Sequence, residues 1–364
     1  MQRDKDIRFM RRCLELGAKA EGRTYPNPIV GSVIVHDDII IGEGYHLKAG
    51  EPHAEVRAIS SVEDKNILRS ATLYVNLEPC CHHGKTPPCT DLILSYGIKR
   101  VVIGTADTSE KVNGRAIAIL RDAGCEVATG VLEEDCRWLN RRFFTFNEKE
   151  RPYIILKWAQ SADGYIDTSR EENSIQKPTW ITGNPERVLV HRWRATEQAI
   201  LAGAGTMRSD NPRLNVRFWH GKNPLRIILS SSGSISRDSS VFSNNGTNVV
   251  FTHSIDADLP NTEKVKLNGK ENPVFQIIEH LYNTGIQSLI VEGGASVMSL
   301  FISSGLWDEA RVFTGMQNFK SGVKAPSVTG KKYSSAAFSL SCLEMIMNRK
   351  SIIYGGVDNY NKNT

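Results

Sequence analysis

Apolar positions along this chain fall into two periods, one helical and one of strands, that succeed each other in a repeated order. Ile7, Met10 and Leu14 recur at helical spacing and Gly22 follows as a stop, which predicts an opening helix. Residues 31–35, the turn Asp37-Asp38 and residues 39–41 predict a β-hairpin. A helix is expected from near His53, then a strand over 71–75, then a helix opened by Cys89-Thr90-Asp91-Leu92. A strand over 100–104, a helix over 116–123, a strand over 125–129 and a helix from 133 to about 143 continue the series. Strands and helices mixed in this order imply a layered α/β domain.

The polar run Asn147-Glu148-Lys149-Glu150-Arg151-Pro152 interrupts the pattern and marks a boundary, giving domains 1–147 and 148–364. A second alternating series follows. It has strands over 153–158, 199–203, 225–229, 249–252 and 289–291, with helices over 185–196, 273–283 and 296–303. Late strands are expected near Arg311 and Ile352. Residues 230–247 and 258–273 are polar and read as surface loops. No internal repeat is visible.

Composition narrows the class without naming the chemistry. A chain of 364 residues suits two domains, and 40% hydrophobic with 23% charged residues is ordinary for a globular protein. A formal charge of +5 fits anionic small substrates and nucleic acid alike. Met1-Gln2-Arg3-Asp4-Lys5 has no apolar run behind it, so no signal peptide is expected. No membrane span is expected either, since no stretch approaches roughly 18 apolar residues. Seven cysteines, an odd and irregular set, argue for a reducing cytoplasm over a disulfide framework.

Candidate chemistry is concentrated in the first half. His53-Ala54-Glu55, Pro79-Cys80 and Pro88-Cys89 supply one imidazole and two thiolates, a three-ligand set for one Zn2+ per chain. Three protein ligands leave one tetrahedral position open, as in catalytic sites. Glu55 need not be a ligand and can handle the protons of a water on the metal. His-x-Glu with Pro-Cys and a second Cys marks the zinc deaminases of nucleobases and nucleosides. A structural zinc would want a fourth ligand, and Cys81, His82 and His83 are near enough in sequence to offer one. Adjacent side chains point apart, however, and Cys80 is the cysteine that follows Pro79. Cys89 opens a helix, so its thiolate would sit near a positive helix N-terminus.

The run Tyr25-Pro26-Asn27-Pro28-Ile29-Val30-Gly31, then Gly44-Tyr45-His46 and Gly50-Glu51-Pro52-His53-Ala54-Glu55, resembles the bifunctional riboflavin-biosynthesis deaminase/reductase family. So does Leu77-Glu78-Pro79-Cys80-Cys81-His82-His83-Gly84-Lys85-Thr86-Pro87-Pro88-Cys89, whose long gap between ligand cysteines sets it apart from most zinc deaminases. The resemblance covers nearly the whole chain. It implies an N-terminal cytidine-deaminase-like three-layer domain and a C-terminal dihydrofolate-reductase-like α/β domain. It also implies hydrolytic deamination of 2,5-diamino-6-ribosylamino-4(3H)-pyrimidinone 5′-phosphate, with Glu55 as catalytic base and acid. Asn27 and His46 would hold the pyrimidine, and His82 and Lys85 would meet polar groups or phosphate; the bland alternative makes the last two solvated loop residues. Where the family has Asp-Pro-Asn-Pro, this chain has Asp107-Thr108-Ser109-Glu110, and a substrate contact is lost.

The second half lacks Gly-x-Gly-x-x-Gly after its first strand, so no Rossmann fingerprint is present. Glu292-Gly293-Gly294-Ala295-Ser296 follows an apolar strand and opens a helix, either as a phosphate-approach turn or as an ordinary tight turn. The segment Leu156 through Gly164, Trp180-Ile181-Thr182 and Gly205 through Pro212 resemble the family's reductase half. That resemblance implies NADPH as hydride donor and reduction of the ring-opened ribosyl group to ribityl. Gln160, Trp180, Thr206, Asp210, Ser231, Gly293 and Gly294 would meet NADPH. Lys157, Arg194, Leu214, Arg217 and Glu292 would meet substrate. A guanidinium matches phosphate bidentately, which suits Arg194 and Arg217 unless they are surface charges. The family's Gly-Glu-Ser-x-Trp approach is replaced by a longer polar stretch ending Gln176-Lys177-Pro178-Thr179, and Ser174 has no clear counterpart.

Two rival readings differ in testable ways. One is a nucleoside or tRNA deaminase fused to an unrelated domain, which the reductase matches oppose. The other is a zinc-stabilised nucleic-acid-binding protein, which should show a basic stripe with interleaved aromatics; the charge here is scattered. The working expectation is therefore a cytoplasmic enzyme acting on small molecules. It binds neither nucleic acid nor membrane and forms a homo-oligomer, a dimer or tetramer.

Overall fold

A computed structural model describes residues 2–83, 87–109, 112–169, 178–243, 246–254 and 258–350. The chain divides into two units at Glu150 and Arg151. That is a few residues past the expected boundary, because helix continues to Lys149.

In the first unit α1 (Gln2–Ala18) precedes a hairpin of β1 (Gly31–His36) and β2 (Ile39–Tyr45). Asp37 and Asp38 both take positive φ, 49° and 63°, the conformation of a two-residue turn whose twist matches its strands. Then come α2 (Ala54–Ser61), β3 (Thr72–Leu77), α3 (Cys89–Ser95), β4 (Arg100–Thr105), α4 (Arg115–Asp122), β5 (Glu126–Thr129), α5 (Glu133–Leu139) and α6 (Arg141–Lys149). The sheet runs β2-β1-β3-β4-β5, antiparallel at β1 and parallel from β3 onward. Strand alternation splits the core. Leu73, Val75, Val101 and Ile103 pack with Ala58, Ile59, Ile93 and Leu120 of α2, α3 and α4. Tyr74 and Val102 pack with Phe9, Met10 and Cys136 of α1 and α5. The three layers expected are present. At Gly44 a Cβ would lie 2.4 Å from Ala58 N and 2.5 Å from Ala54 O, so β2 packs directly on the backbone of α2.

One expected helix is two. Asn140 breaks the run at 133–143 because its side chain is drawn away: it accepts from Ile29 N (2.7 Å) and donates to Ile29 O (2.9 Å).

The second unit contains β6 (Tyr153–Gln160), β7 (Tyr165–Asp167), α7 (Asn184–Thr196), β8 (Ala199–Gly203), α8 (Ala204–Asp210), β9 (Leu225–Leu229), β10 (Asn248–Thr252) and β11 (Thr262–Lys266). These are followed by α9 (Pro273–Asn283), β12 (Ser288–Val291), α10 (Ala295–Ser303), β13 (Glu309–Gly315), β14 (Val323–Lys324), β15 (Lys331–Ala337) and β16 (Ser341–Met347). The main sheet runs β11-β10-β9-β8-β12-β6-β13-β16-β15, parallel through β13 and antiparallel thereafter. One face carries α9 and α10, the other α7 and α8.

The stretch 258–273, expected to be loop, contains β11. It is an edge strand, largely exposed, so only Val265 advertises it. The strand expected near Ile352 lies outside the described residues; the late strands are β13, β15 and β16. Among the described residues no helix is long and apolar enough to cross a membrane, and no disulfide is formed.

Candidate metal centre and reductase cavity

Three segments converge in the first unit. His53 is the residue before α2, β3 delivers Glu78-Pro79-Cys80 at its carboxyl end, and Cys89 is the first residue of α3. The donor atoms of His53, Cys80 and Cys89 all lie within 4.8 Å of one another. His53 Nδ1 is 3.3 Å from Cys89 Sγ and 3.4 Å from Cys80 Sγ. Tetrahedral zinc with its ordinary bond lengths separates nitrogen and sulfur donors by roughly 3.5 Å, so the spacing suits that ion. Cys81 is not part of this group, and His83 faces Asp91 at 3.7 Å.

The first turn of α3 supports Cys80 twice. Cys89 N donates to Cys80 Sγ (3.3 Å) and Thr90 N to Cys80 O (3.2 Å). Hydrogen bonding from the Cys89 thiol, then from His53 and the Cys89 amide, holds the Cys80 thiol at about 4 against the opposing effect of burial. A thiolate is the form a metal needs. Glu55, in the first turn of α2, is 2% exposed, and its Oε2 is buried without a hydrogen-bond partner. Burial first, then the neighbouring Cys80, pushes its carboxyl up to about 7. A buried, unpartnered carboxylate oxygen beside three metal donors is the arrangement a metal and its water would complete.

His46 and Asn27 stand at the same place. The His46 and His53 rings meet edge to face with centroids 5.3 Å apart. His46 Nδ1 faces Pro52 O at 3.3 Å, so it carries the proton, and Nε2 accepts from Asn27 Nδ2 at 3.1 Å. Burial lowers the His46 pKa and keeps this neutral tautomer. His82 is exposed on the loop beyond Cys80, and Lys85 lies outside the described residues, as do Glu110 and Ser174.

Three residues that hold this centre together carry no sequence signal of their own. Asn76 accepts from Gly31 N (2.7 Å) and donates to Ile29 O (3.1 Å); with Asn140 it fixes the chain just after Asn27-Pro28. Glu78 accepts four backbone N–H groups, from Asp107, Gly114, Ala116 and Ile117, at 3.0–3.2 Å. It thereby caps α4 and anchors the segment that presents Cys80. An Asn at a strand end or a Glu before Pro is detectable in sequence only if its burial is known.

In the second unit a cavity of about 470 Å³ opens at the carboxyl ends of β6, β8 and β12, where ligands bind in open α/β sheets. Lys157, Trp180, Arg194, Thr206, Asp210, Leu214, Arg217, Glu292, Gly293 and Gly294 all line it. Glu292 is the floor. Its carboxylate takes both Nε (2.9 Å) and Nη2 (2.8 Å) of Arg194, and Lys157 Nζ lies 3.5 Å away. Burial pushes its carboxyl up, but the Arg194 and Lys157 charges win and hold it at about 2. Burial likewise lowers the Lys157 pKa, with Glu292 opposing and Arg194 assisting.

Arg194 thus turns the Nε–Nη2 edge of its guanidinium to Glu292. Its remaining Nη1 donates to Asn215 O at 3.2 Å. Arg217 has no carboxylate partner among the described residues; it donates to Asn215 Oδ1 and its own amide donates to His191 Nδ1 at 2.9 Å. At Gly293 a Cβ would lie 2.9 Å from Gly203 N, and Gly294 N donates to Thr206 Oγ1 at 2.8 Å. The wall at the start of α10 is thus backbone. Two expected residues are placed differently. Gln160 is engaged with Trp158 Nε1 (2.8 Å) and Thr314 Oγ1 (3.4 Å), and Ser231 is exposed past β9; neither lines this cavity. The segment 204–210, read only as a motif, is helix α8, and it carries Thr206 and Asp210.

Comparison with known proteins matches each unit. A model of the cytidine and deoxycytidylate deaminase zinc-binding region matches residues 3–105, and one of the RibD C-terminal domain matches residues 152–315. The riboflavin biosynthesis protein RibD of Aquifex aeolicus is 38% identical over 94% of this chain and 93% of its own length. That of Escherichia coli is 33% identical over 85% of this chain and 87% of its own. A solved deaminase/reductase from Thermotoga maritima is similar at 39% identity and a TM-score of 0.87, covering 96% of this chain and 100% of that one. Acinetobacter baumannii RibD is similar at 31% identity and a TM-score of 0.85, covering 95% and 99%.

Proposed function

This chain belongs to the RibD family of riboflavin biosynthesis, in which a zinc-binding deaminase domain and a reductase domain share one polypeptide, and from that premise we propose how its parts divide the work. Residues 1–147 deaminate 2,5-diamino-6-ribosylamino-4(3H)-pyrimidinone 5′-phosphate. Residues 148–364 then reduce the ribosyl group to ribityl with NADPH. The observation that supports this most is the three-donor cluster of His53, Cys80 and Cys89 beside the buried, unpartnered Glu55 Oε2.

His53 Nδ1, Cys80 Sγ and Cys89 Sγ would hold one zinc ion, which when bound supplies a Lewis acid and an acidified water. Glu55 accepts a proton at Oε2 from the attacking water and delivers it to the departing amino nitrogen, so that ammonia leaves. His46 spends its Nε2 on Asn27 Nδ2, which turns the Asn27 amide and leaves its carbonyl oxygen for an N–H of the pyrimidine. In the second unit NADPH would supply a hydride when bound along Trp180, Thr206, Asp210 and Gly293-Gly294. Lys157 Nζ, its proton loosened by burial, holds a proton for the ring oxygen that reduction frees. Glu292 keeps Lys157 and Arg194 in register beneath the substrate. Seven cysteines, with no disulfide among the described residues, support a reducing, cytoplasmic setting.

The test is incubation of the purified protein with the aminopyrimidine phosphate, with and without NADPH, followed by mass analysis. Without NADPH the product should have exchanged one NH for O; with it, two further hydrogens should appear. Unchanged substrate in both samples would end this reading.

A further inference from the structure

The rim of the reductase cavity holds more positive charge than its floor can neutralise. Glu292 is committed to Arg194 and Lys157. Arg187, Arg213 and Arg217 also line the cavity, and none has a carboxylate within ion-pair distance among the described residues. Arg187 lies on α7 four residues before His191 and seven before Arg194, so the three share one helix face.

The Arg187 guanidinium is held in place by aromatic rings. Its central carbon lies 4.4 Å from the Trp180 ring centroid and 4.9 Å from that of Phe218. The Arg217 guanidinium lies 5.7 Å from the same Phe218 centroid. Phe218 in turn meets His191 edge to face at 4.8 Å, and His191 Nδ1 accepts the Arg217 amide. Two guanidiniums thus lie around one ring. Stacking on aromatic faces is a use of arginine that lysine does not share, and it pre-orients the fork for an oxyanion. Arg217 also feels its neighbours: partial burial and then the charges of Arg194, Arg213 and Arg187 lower its pKa. Glu292 opposes this in part, and since an arginine stays charged regardless, a bound anion would relieve the repulsion further.

We propose that Arg187 is a specificity-determining residue of the reductase, seating the phosphate monoester of the substrate together with Arg213 and Arg217. This rests on the reductase reading above and adds to it which side chains tell a phosphorylated substrate from its dephosphorylated counterpart.

The test compares wild type, Arg187→Ala, Arg187→Gln and Arg187→Lys in the full-length protein. NADPH oxidation is followed with the deaminated substrate and with its dephosphorylated counterpart, and inorganic phosphate serves as a competing anion. Loss of one charge-assisted contact should lower kcat/KM for the phosphorylated substrate about tenfold in Arg187→Ala and Arg187→Gln. Turnover of the dephosphorylated substrate should fall less, inhibition by inorganic phosphate should weaken, and Arg187→Lys should recover part of the loss. An equal fall for both substrates would overturn the proposal, showing that Arg187 only shapes the wall against Trp180 and Phe218. A rise in the KM for NADPH, with NADH unaffected, would also overturn it by giving Arg187 to the cofactor's 2′-phosphate. A wild-type protein that oxidises no NADPH would instead bring down the reductase reading itself, and this inference with it.

Discussion

Glu292→Gln is the sharpest single perturbation of the second unit. The amide keeps the volume and one acceptor for Arg194 but removes the only carboxylate shown facing two buried cations. The wild-type carboxyl is held at about 2 against an ordinary 4.5. At about 1.4 kcal/mol per pH unit, the folded state favours the charged form by on the order of 3 kcal/mol, burial notwithstanding. Removing one partner of a buried pair costs about 3–5 kcal/mol by another route, because the other charge is left uncompensated. The lower figure applies here, since Lys157 can shed a proton that burial and Arg194 already loosen.

Urea unfolding followed by tryptophan fluorescence is the assay. Of the six tryptophans only Trp138 precedes residue 151, so the signal reports the second unit. A 3 kcal/mol loss should move the midpoint by about 1 M or more. The sign with pH is fixed. A depressed carboxyl contributes stability that is present above pH 4.5 and lost as pH falls toward 2. The gap between wild type and Glu292→Gln should therefore be widest near neutrality and narrow below pH 4.5. A midpoint shift corresponding to less than about 1 kcal/mol at pH 7, or a gap that widens in acid, would refute the reasoning.

Three further outcomes are expected in the first unit. Cys80→Ser should lower zinc content measured by atomic absorption, and Cys81→Ser should leave it unchanged; the reverse would mean that the wrong cysteine has been assigned. Glu55→Gln should slow deamination by about a hundredfold to ten-thousandfold while zinc content and NADPH-dependent reduction of supplied deaminated substrate persist; near-normal deamination would remove Glu55 from the chemistry. Glu78→Ala leaves four backbone N–H groups without their acceptor, so the first unit should lose at least about 2 kcal/mol and bind zinc less tightly, as read by calorimetric melting and chelator competition.

What sequence revealed here was periodic or chemically marked. Strand β8 is an unbroken apolar run buried on both faces, and it was legible to the residue. The cluster of His53, Cys80 and Cys89 was legible because metal chemistry restricts both the type and the order of such residues. What stayed hidden was decided by contacts remote in sequence. Asn140 ends α5 because Ile29 offers it a backbone N–H and C=O. β11 exists because β10 offers an open parallel edge, which no alternation in Thr262–Lys266 announces. Arg194 and Arg217 look equivalent in sequence, yet Glu292 claims the first and leaves the second free of any acid among the described residues.

The asparagine clamp on Ile29 also sets an order of assembly. The clustered donors His53, Cys80 and Cys89 lie between residues 53 and 89, so that segment is complete roughly 50 residues before Asn140 has been synthesised. The segment after Asn27 gains its clamp on Ile29 only when Asn140 arrives, near the far end of the first unit. On a ribosome, where a chain folds from its N-terminus as it emerges, the metal donors can therefore gather before the pocket can grip a pyrimidine. A nascent chain released short of residue 140 would lack that clamp on Ile29.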